Sequence, residues 1–196
     1  MWLDVTTSFA WHRVWPVPEA LPVRQVHAWI VDEAGRALLL ELPVGWRLPG
    51  CALARRDADW LAALRRRLRR EADVTVRDVL PLGYQLVHPS DAEPHAQLRV
   101  VARMDVWHER TASPGPGPGP ELELEPGAEL EPERGPAHPR VWVPLDQAAA
   151  LLNWGEPGRA QAVAVAQTAC ERYGFDAAGL LAQGADHPGG PVTQMV

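Results

Sequence analysis

Residues 46–74 are the most informative stretch of the chain and read WRLPGCALARRDADWLAALRRRLRREADV. An extended piece ends at Pro49-Gly50, a pair that interrupts regular structure. A helix is predicted over residues 57–72, where either Asp57 or Asp59 can cap its start. The apolar residues of this helix recur at the spacing of one helix face: Trp60, Leu61, Leu64 and Leu68.

Strand and helix patterns alternate on both sides of this stretch. Two strands, residues 25–32 and 37–42, are predicted to form a hairpin just before it. Further strands are predicted over residues 74–88, 97–109 and 140–145. Helices are predicted over residues 146–153 and 157–173, the second ended by Gly174. This alternation predicts a single α/β domain, which suits a chain of 196 residues.

The order of hairpin, W-R-L-P-G-C at residues 46–51, helix and strand resembles the Nudix hydrolase superfamily. The family signature is G-x5-E-x7-R-E-U-x-E-E-x-G-U, with U apolar, and it usually follows W-x-L-P-G-G. The resemblance implies an α/β/α sandwich with a mixed central sheet over about residues 22–175. It also implies water attack on the phosphoanhydride of a nucleoside diphosphate linked to another moiety, assisted by Mg²⁺.

One register of the helix fits the signature. Arg66 then takes the place of the signature arginine, Leu68 takes an apolar position, and Glu71 takes the last glutamate. This register needs one extra residue before the helix. The alternative, with Arg65 as the signature arginine, would put Arg67 on a buried apolar position and leave no glutamate in the signature.

Two of the three metal-binding positions have reversed charge. In the family, three carboxylates on one helix face hold the cation, and here those positions are Arg67, Arg70 and Glu71. The resemblance implies a catalytic set of Glu71, Arg66 and Asp57, with Glu71 also a metal ligand. A guanidinium 4 Å from a cation costs about 4 kcal/mol at an effective dielectric near 20. Metal-dependent hydrolysis is therefore expected to be weakened or lost.

Three interpretations of this helix stay open. The first is a non-catalytic module that senses a nucleotide or binds a partner. The second is an altered hydrolase, using Mg²⁺, in which other carboxylates act beside Glu71. Those carboxylates are Asp57, Asp59 and Glu41. In the third, Arg67 and Arg70 bind an anionic ligand directly, because guanidinium groups form forked bonds to phosphate.

The arginine run also has a purely structural explanation. Runs of charge on helices usually form solvated faces, and Arg67 with Glu71 is an ordinary i,i+4 pair worth roughly 0.2 to 0.5 kcal/mol. In the family, the signature arginine, here Arg66, orients the neighbouring acid.

Ligand contacts are expected on the strands after the helix. This region lines the substrate pocket in the family that the chain resembles, and Trp46 is a further candidate for stacking on a base. The residues expected to contact a ligand are Tyr84, Gln85, Gln97 and Arg99, together with Arg67 and Arg70. The alternative is that the strand residues occupy alternating, solvent-facing positions.

The net charge of −6 arises mainly in one segment. Residues 111–139 contain six glutamates and one arginine, so the rest of the chain is nearly neutral. Their Pro-Gly and Glu-Leu repeats predict a disordered insertion between two strands, because the segment cannot bury enough apolar surface. A pI near 5.6 argues against general nucleic-acid binding.

Residues 1–21 are interpreted as a Trp-rich extension, residues 22–180 as the Nudix-like domain and residues 181–196 as a flexible tail. The extension is expected either to cover a sheet edge or to form a partner surface. No apolar run approaches the roughly 20 residues that span a bilayer, and no leader pattern is present. We therefore expect a cytoplasmic protein whose partner is a small nucleotide-like molecule, without membrane binding and with a homodimer as a further option.

Overall fold

Eight strands form one mixed sheet in the computed structural model, which describes residues 7–54, 57, 59–108 and 138–176. The strands are β1 (Thr7–His12), β2 (Val23–Val31), β3 (Arg36–Leu42), β4 (Gly45–Arg47), β5 (Gly50–Ala52), β6 (Val74–Pro89), β7 (His95–Trp107) and β8 (Arg140–Pro144). Their order is β1-β6-β7-β2-β3-β4, while β5 pairs with β2 and β8 with β3. The strands β2 and β7 run parallel, and the other pairs are antiparallel.

Helices cover both faces of the sheet because its central strands are apolar on both sides. Leu64 of α1 (Trp60–Glu71) packs in one buried cluster with Ile30 and Val100. The helices α2 (Leu145–Leu151) and α3 (Gly155–Tyr173) contribute to a second cluster, which contains Trp29 and Val101. Neighbouring strand residues point to opposite faces, so the two clusters lie on the two sides of the sheet. The predicted α/β/α sandwich with a mixed central sheet is confirmed.

The signature helix is shorter at its start than predicted. It begins at Trp60 because Asp59 is the N-cap, and the Asp59 carboxylate accepts a hydrogen bond from the Leu61 N–H at 2.8 Å. The helix α3 ends as predicted at Gly174, whose φ of 72° places it in the left-handed region.

The strand β1 was not among the predicted elements. It pairs antiparallel with β6, from Thr7 opposite Pro89 to His12 opposite Tyr84, and covers that edge of the sheet. None of the described helices is long and apolar enough to cross a membrane. Most of the proposed insertion and tail lies outside the described residues. The domain limits, a homodimer and a cytoplasmic location stay predictions.

Gly50 lies where the W-R-L-P-G stretch meets the sheet. A Cβ atom at this position would overlap the carbonyl oxygen of Val26 and lie 2.8 Å from the Cα of His27. Both obstacles are backbone atoms of β2, a central strand that cannot shift without disturbing its neighbours. The close pairing of β5 with β2 therefore requires glycine at this position.

We expect Gly50→Ala to lower the free energy of unfolding by about 3 kcal/mol, because the new methyl group overpacks against a fixed strand. Denaturant titration measures this loss. The matched control is Gly174→Ala, where a Cβ meets no atom within 4 Å and only the left-handed conformation is penalised. The control should lose about 1 kcal/mol. Equal losses in the two variants would contradict the close-packing explanation.

Candidate functional site

The end of α1 carries a cluster of ion pairs where the family resemblance implies a metal site. One carboxylate oxygen of Glu71, Oε1, pairs with the guanidinium of Arg67, one helical turn earlier. The other oxygen, Oε2, accepts a hydrogen bond at 3.1 Å from Nη2 of Arg47 in β4. The Glu71 side chain is only 13% exposed. Both Glu71 oxygens therefore already pair with guanidinium groups, and the side chain is largely buried.

Asp57 and Arg66 form a second pair beside this cluster. Nη2 of Arg66 lies 3.0 Å from Oδ1 of Asp57. The other Asp57 oxygen accepts a hydrogen bond from the Ala54 N–H at 2.9 Å. Asp57 thus links the segment before α1 to the helix through Arg66. The orienting role that the resemblance gives Arg66 stays a prediction.

The other carboxylates considered for a metal have separate places. Asp59 caps α1, and Glu41 lies on β3 beside a cavity of about 390 Å³ that His138 and Pro139 also line. In the part of the chain that the structure describes, no group of three or more His, Cys, Asp or Glu residues is placed to hold a metal ion.

The donor set around Glu71 does not fit Mg²⁺, which takes oxygen ligands in near-octahedral geometry. Position 67 carries a guanidinium that pairs with Glu71. Position 70 is a partly buried arginine on the same helix. The oxygens of Glu71 would have to exchange both arginine partners for the metal.

A cavity of about 470 Å³ lies on the side of the sheet that α3 covers. Polar residues from three neighbouring strands line it. Gln25 of β2 lies opposite Gln97 of β7, which in turn lies opposite Gln85 of β6. Two residues further along this parallel pair, on the same face, His27 lies opposite Arg99. The sheet therefore presents a short row of polar side chains beneath α3.

Arg99 is the central residue of this row and is 2% exposed. Its Nη2 donates to Oε1 of Gln85 and, at 3.0 Å, to Oε1 of Gln97, while its Nε donates at 3.2 Å to Oε1 of Gln161 in α3. The Trp154 ring lies with its centroid 5.0 Å from the guanidinium carbon. Burial lowers the pKa of Arg99 to about 9, so the guanidinium is charged at neutral pH.

His27 adds no charge to the cavity at neutral pH. Burial, together with the positive charges of Arg99 and Arg47, lowers the pKa of His27 to about 3, against a backbone hydrogen bond to Leu48 that raises it. One ring nitrogen, Nε2, lies 3.0 Å from Oε1 of Gln25. The positive charge of the cavity wall therefore comes from the two arginines, since Arg47 also lines it.

The expected ligand contacts separate into two groups. Gln85, Gln97 and Arg99 line the cavity together. Tyr84 follows the strand alternation to the other face, where its ring stacks on His12 with centroids 5.0 Å apart. Trp46 packs against the core cluster on the α3 side and does not line this cavity in the described part of the chain.

Several residues of the cavity were not predicted from the sequence. Gln25 and His27 occupy alternate positions of a largely apolar strand, which is the same signal that Gln97 and Arg99 give. This shared pattern could have suggested that the pair on β2 and the pair on β7 lie together. Their side-by-side placement, however, depends on a parallel pairing that sequence spacing does not indicate. Trp154 gave no signal beyond its position between two helices.

No family model matches the chain, and no curated protein matches it. Several solved structures of Nudix hydrolases are similar to it. A pyrophosphohydrolase of Bacillus subtilis gives a TM-score of 0.44 at 17% identity, over 55% of this chain and 65% of that one, just under two thirds. A Nudix hydrolase from Nitrosomonas europaea gives a TM-score of 0.49 at 15% identity, over 75% of this chain and 89% of that one. An Ap4A hydrolase of C. elegans gives a TM-score of 0.46 at 15% identity, over 78% of this chain and 99% of that one.

At these identities and TM-scores, the likeness indicates nothing about substrate or activity. The chain's own elements follow the order predicted from its sequence: a hairpin, the W-R-L-P-G stretch, a helix on one face of a mixed sheet, and a further strand. In the order and layering of these elements, the chain is an α/β/α sandwich with a mixed sheet, as the sequence resemblance implied.

Proposed function

We propose that this chain is a Nudix-like domain that binds a small nucleotide-like molecule, and in which Mg²⁺-dependent hydrolysis of phosphoanhydrides is weakened or lost. The observation that carries the proposal is the engagement of both Glu71 oxygens by Arg67 and Arg47. The carboxylate that the family would give to a metal is used here to join α1 to β4.

These ion pairs make the binding of a metal cation at Glu71 unfavourable. A cation arriving at Glu71 would break two charge-assisted hydrogen bonds, which are about twice as strong as neutral ones. It would then lie near the guanidinium groups of Arg47 and Arg67. Each of these costs about 4 kcal/mol per unit of cation charge at 4 Å and an effective dielectric near 20, and therefore about 8 kcal/mol for Mg²⁺. Direct binding of a ligand anion by Arg67 is disfavoured too, because it competes with the ion pair to Glu71.

The cavity beneath α3 supports binding of a small molecule. Its volume of about 470 Å³ falls within the range of roughly 300 to 1,000 Å³ typical of ligand pockets. Glutamine side chains supply hydrogen-bonding groups, and Trp154 supplies an aromatic surface for stacking. Arg47 joins this cavity to the Glu71 cluster, so the two features lie next to each other.

Calorimetric titration with ADP-ribose, with and without Mg²⁺, tests the proposal. We expect binding whose affinity differs by no more than about twofold between the two conditions, because no metal is needed to hold the diphosphate. We also expect no release of hydrolysis products with either Mg²⁺ or Mn²⁺. Metal-dependent hydrolysis that Glu71→Gln abolishes would contradict the proposal and restore the hydrolase interpretation.

The stability of Glu71→Gln gives a second, ligand-free test. We expect the free energy of unfolding to fall by about 1 to 3 kcal/mol, because the largely enclosed Glu71 loses its charge while both of its partly exposed arginine partners remain. The matched control is Glu33→Gln, since Glu33 is 82% exposed and lies 3.4 Å from Arg103. The control should change by less than about 0.5 kcal/mol. A more stable Glu71→Gln variant would indicate a carboxylate kept for a cation.

A further inference from the structure

We infer that the cavity beneath α3 contains a binding subsite for an oxyanion, a phosphate or a carboxylate group, centred on Arg99. The inference rests on the proposed function, because the group would be part of the bound nucleotide-like molecule. It goes further by naming the charge of the ligand and the atoms that receive it.

The first observation is a buried charge without a counter-ion. The partners of the Arg99 guanidinium among the described residues are three neutral glutamine side chains and the Trp154 ring. Its Nη1 has no hydrogen-bond partner in the described part of the chain, although the residue is 2% exposed and lines the cavity. A buried charge left unpaired is strongly destabilising. A ligand oxyanion would supply both the missing acceptor and the missing charge.

The second observation is independent of Arg99. The 19-residue helix α3 starts at this cavity, which Asn153, Trp154 and Pro157 line. Its N-cap residue, Trp154, makes no side-chain capping hydrogen bond, so the N–H groups of Gly155 and Glu156 receive no acceptor from that side chain, while Pro157 has no N–H to offer. The exposed Glu156 in this turn pairs with Arg159 at 2.7 Å. Helix N-termini attract anions through these N–H groups and the helix dipole.

The remaining wall agrees with an anionic ligand. Arg47 lines the cavity, and its buried Nε has no hydrogen-bond partner among residues 7–54, 57, 59–108 and 138–176, while its Nη2 donates to Glu71. No Asp or Glu lines the cavity among the described residues, so nothing there repels an anion. The Trp154 and Phe9 side chains offer apolar surface for the uncharged part of the ligand.

The primary test is a titration of the ¹⁵N-labelled protein with sodium phosphate, without metal. We expect saturable shifts of the Arg99 Nε signal and of the Gly155 and Gly158 amides, which lie at the start of α3. Sodium acetate in a parallel titration shows whether a carboxylate takes the same place. Shifts with either anion support the subsite and tell the two groups apart, whereas no shift with either overturns it.

The variant test compares affinities for AMP and adenosine. The intact protein should bind AMP at least about tenfold more tightly, as expected for charge-assisted hydrogen bonds. Arg99→Gln should remove this preference, and Arg99→Lys should retain part of it, because it keeps the charge without the fork. The matched control is Arg172→Gln, which removes an exposed arginine at the other end of α3 and should leave the preference unchanged.

The two proposals fail separately. Equal binding of AMP and adenosine by the intact protein overturns the subsite. Metal-independent ADP-ribose binding that is unchanged in Arg99→Gln also overturns the subsite but leaves the proposed function standing. Efficient metal-dependent hydrolysis that Glu71→Gln abolishes overturns the proposed function, whereas the metal-free phosphate titration still reports on the subsite. If Arg99→Gln does not fold, the titration of the intact protein decides the outcome.

Discussion

The parallel pairing of β2 with β7 is the constraint on which the site depends. Both strands are covered on both faces, so every second residue faces α1 and the others face α3. Pairing in this register puts His27 next to Arg99 on the α3 side. A slip of one residue would turn Arg99 toward the apolar cluster under α1, where a guanidinium has no acceptor. The fold and the cavity are therefore specified together.

Arg47 connects the two functional parts of the molecule. Its neighbour Leu48 is buried in the core on the α3 side, which fixes the backbone of the W-R-L-P-G stretch. The Arg47 side chain then reaches Glu71 with one nitrogen while it lines the cavity. The helix face that resembles a metal site and the cavity that we propose for an oxyanion thus share one residue. The overall charge of −6 conceals this locally positive region.

Local patterns predicted the elements better than they predicted contacts. The helix α1 follows from apolar spacing, and its first residue differs from the prediction because Asp59, rather than Asp57, takes the cap. The strand β1 could not be predicted in the same way, because it is held by pairing with β6, more than 70 residues away. Tyr84 and Gln85 are neighbours in sequence, yet strand alternation sends them to opposite faces of the sheet.

The amino-acid sequence was sufficient for the alternation of strands and helices and for the run of arginines on α1, because periodicity and residue type are local properties. The α/β/α sandwich was expected only through the family resemblance. The sequence was not sufficient for the partners of Glu71 and Arg99. One partner of Glu71 is Arg47, 24 residues earlier on a different strand, and Arg99 is held by glutamines from two strands and a helix. Those contacts depend on strand register and on the packing of α3, which are set by the whole sheet and by no single segment.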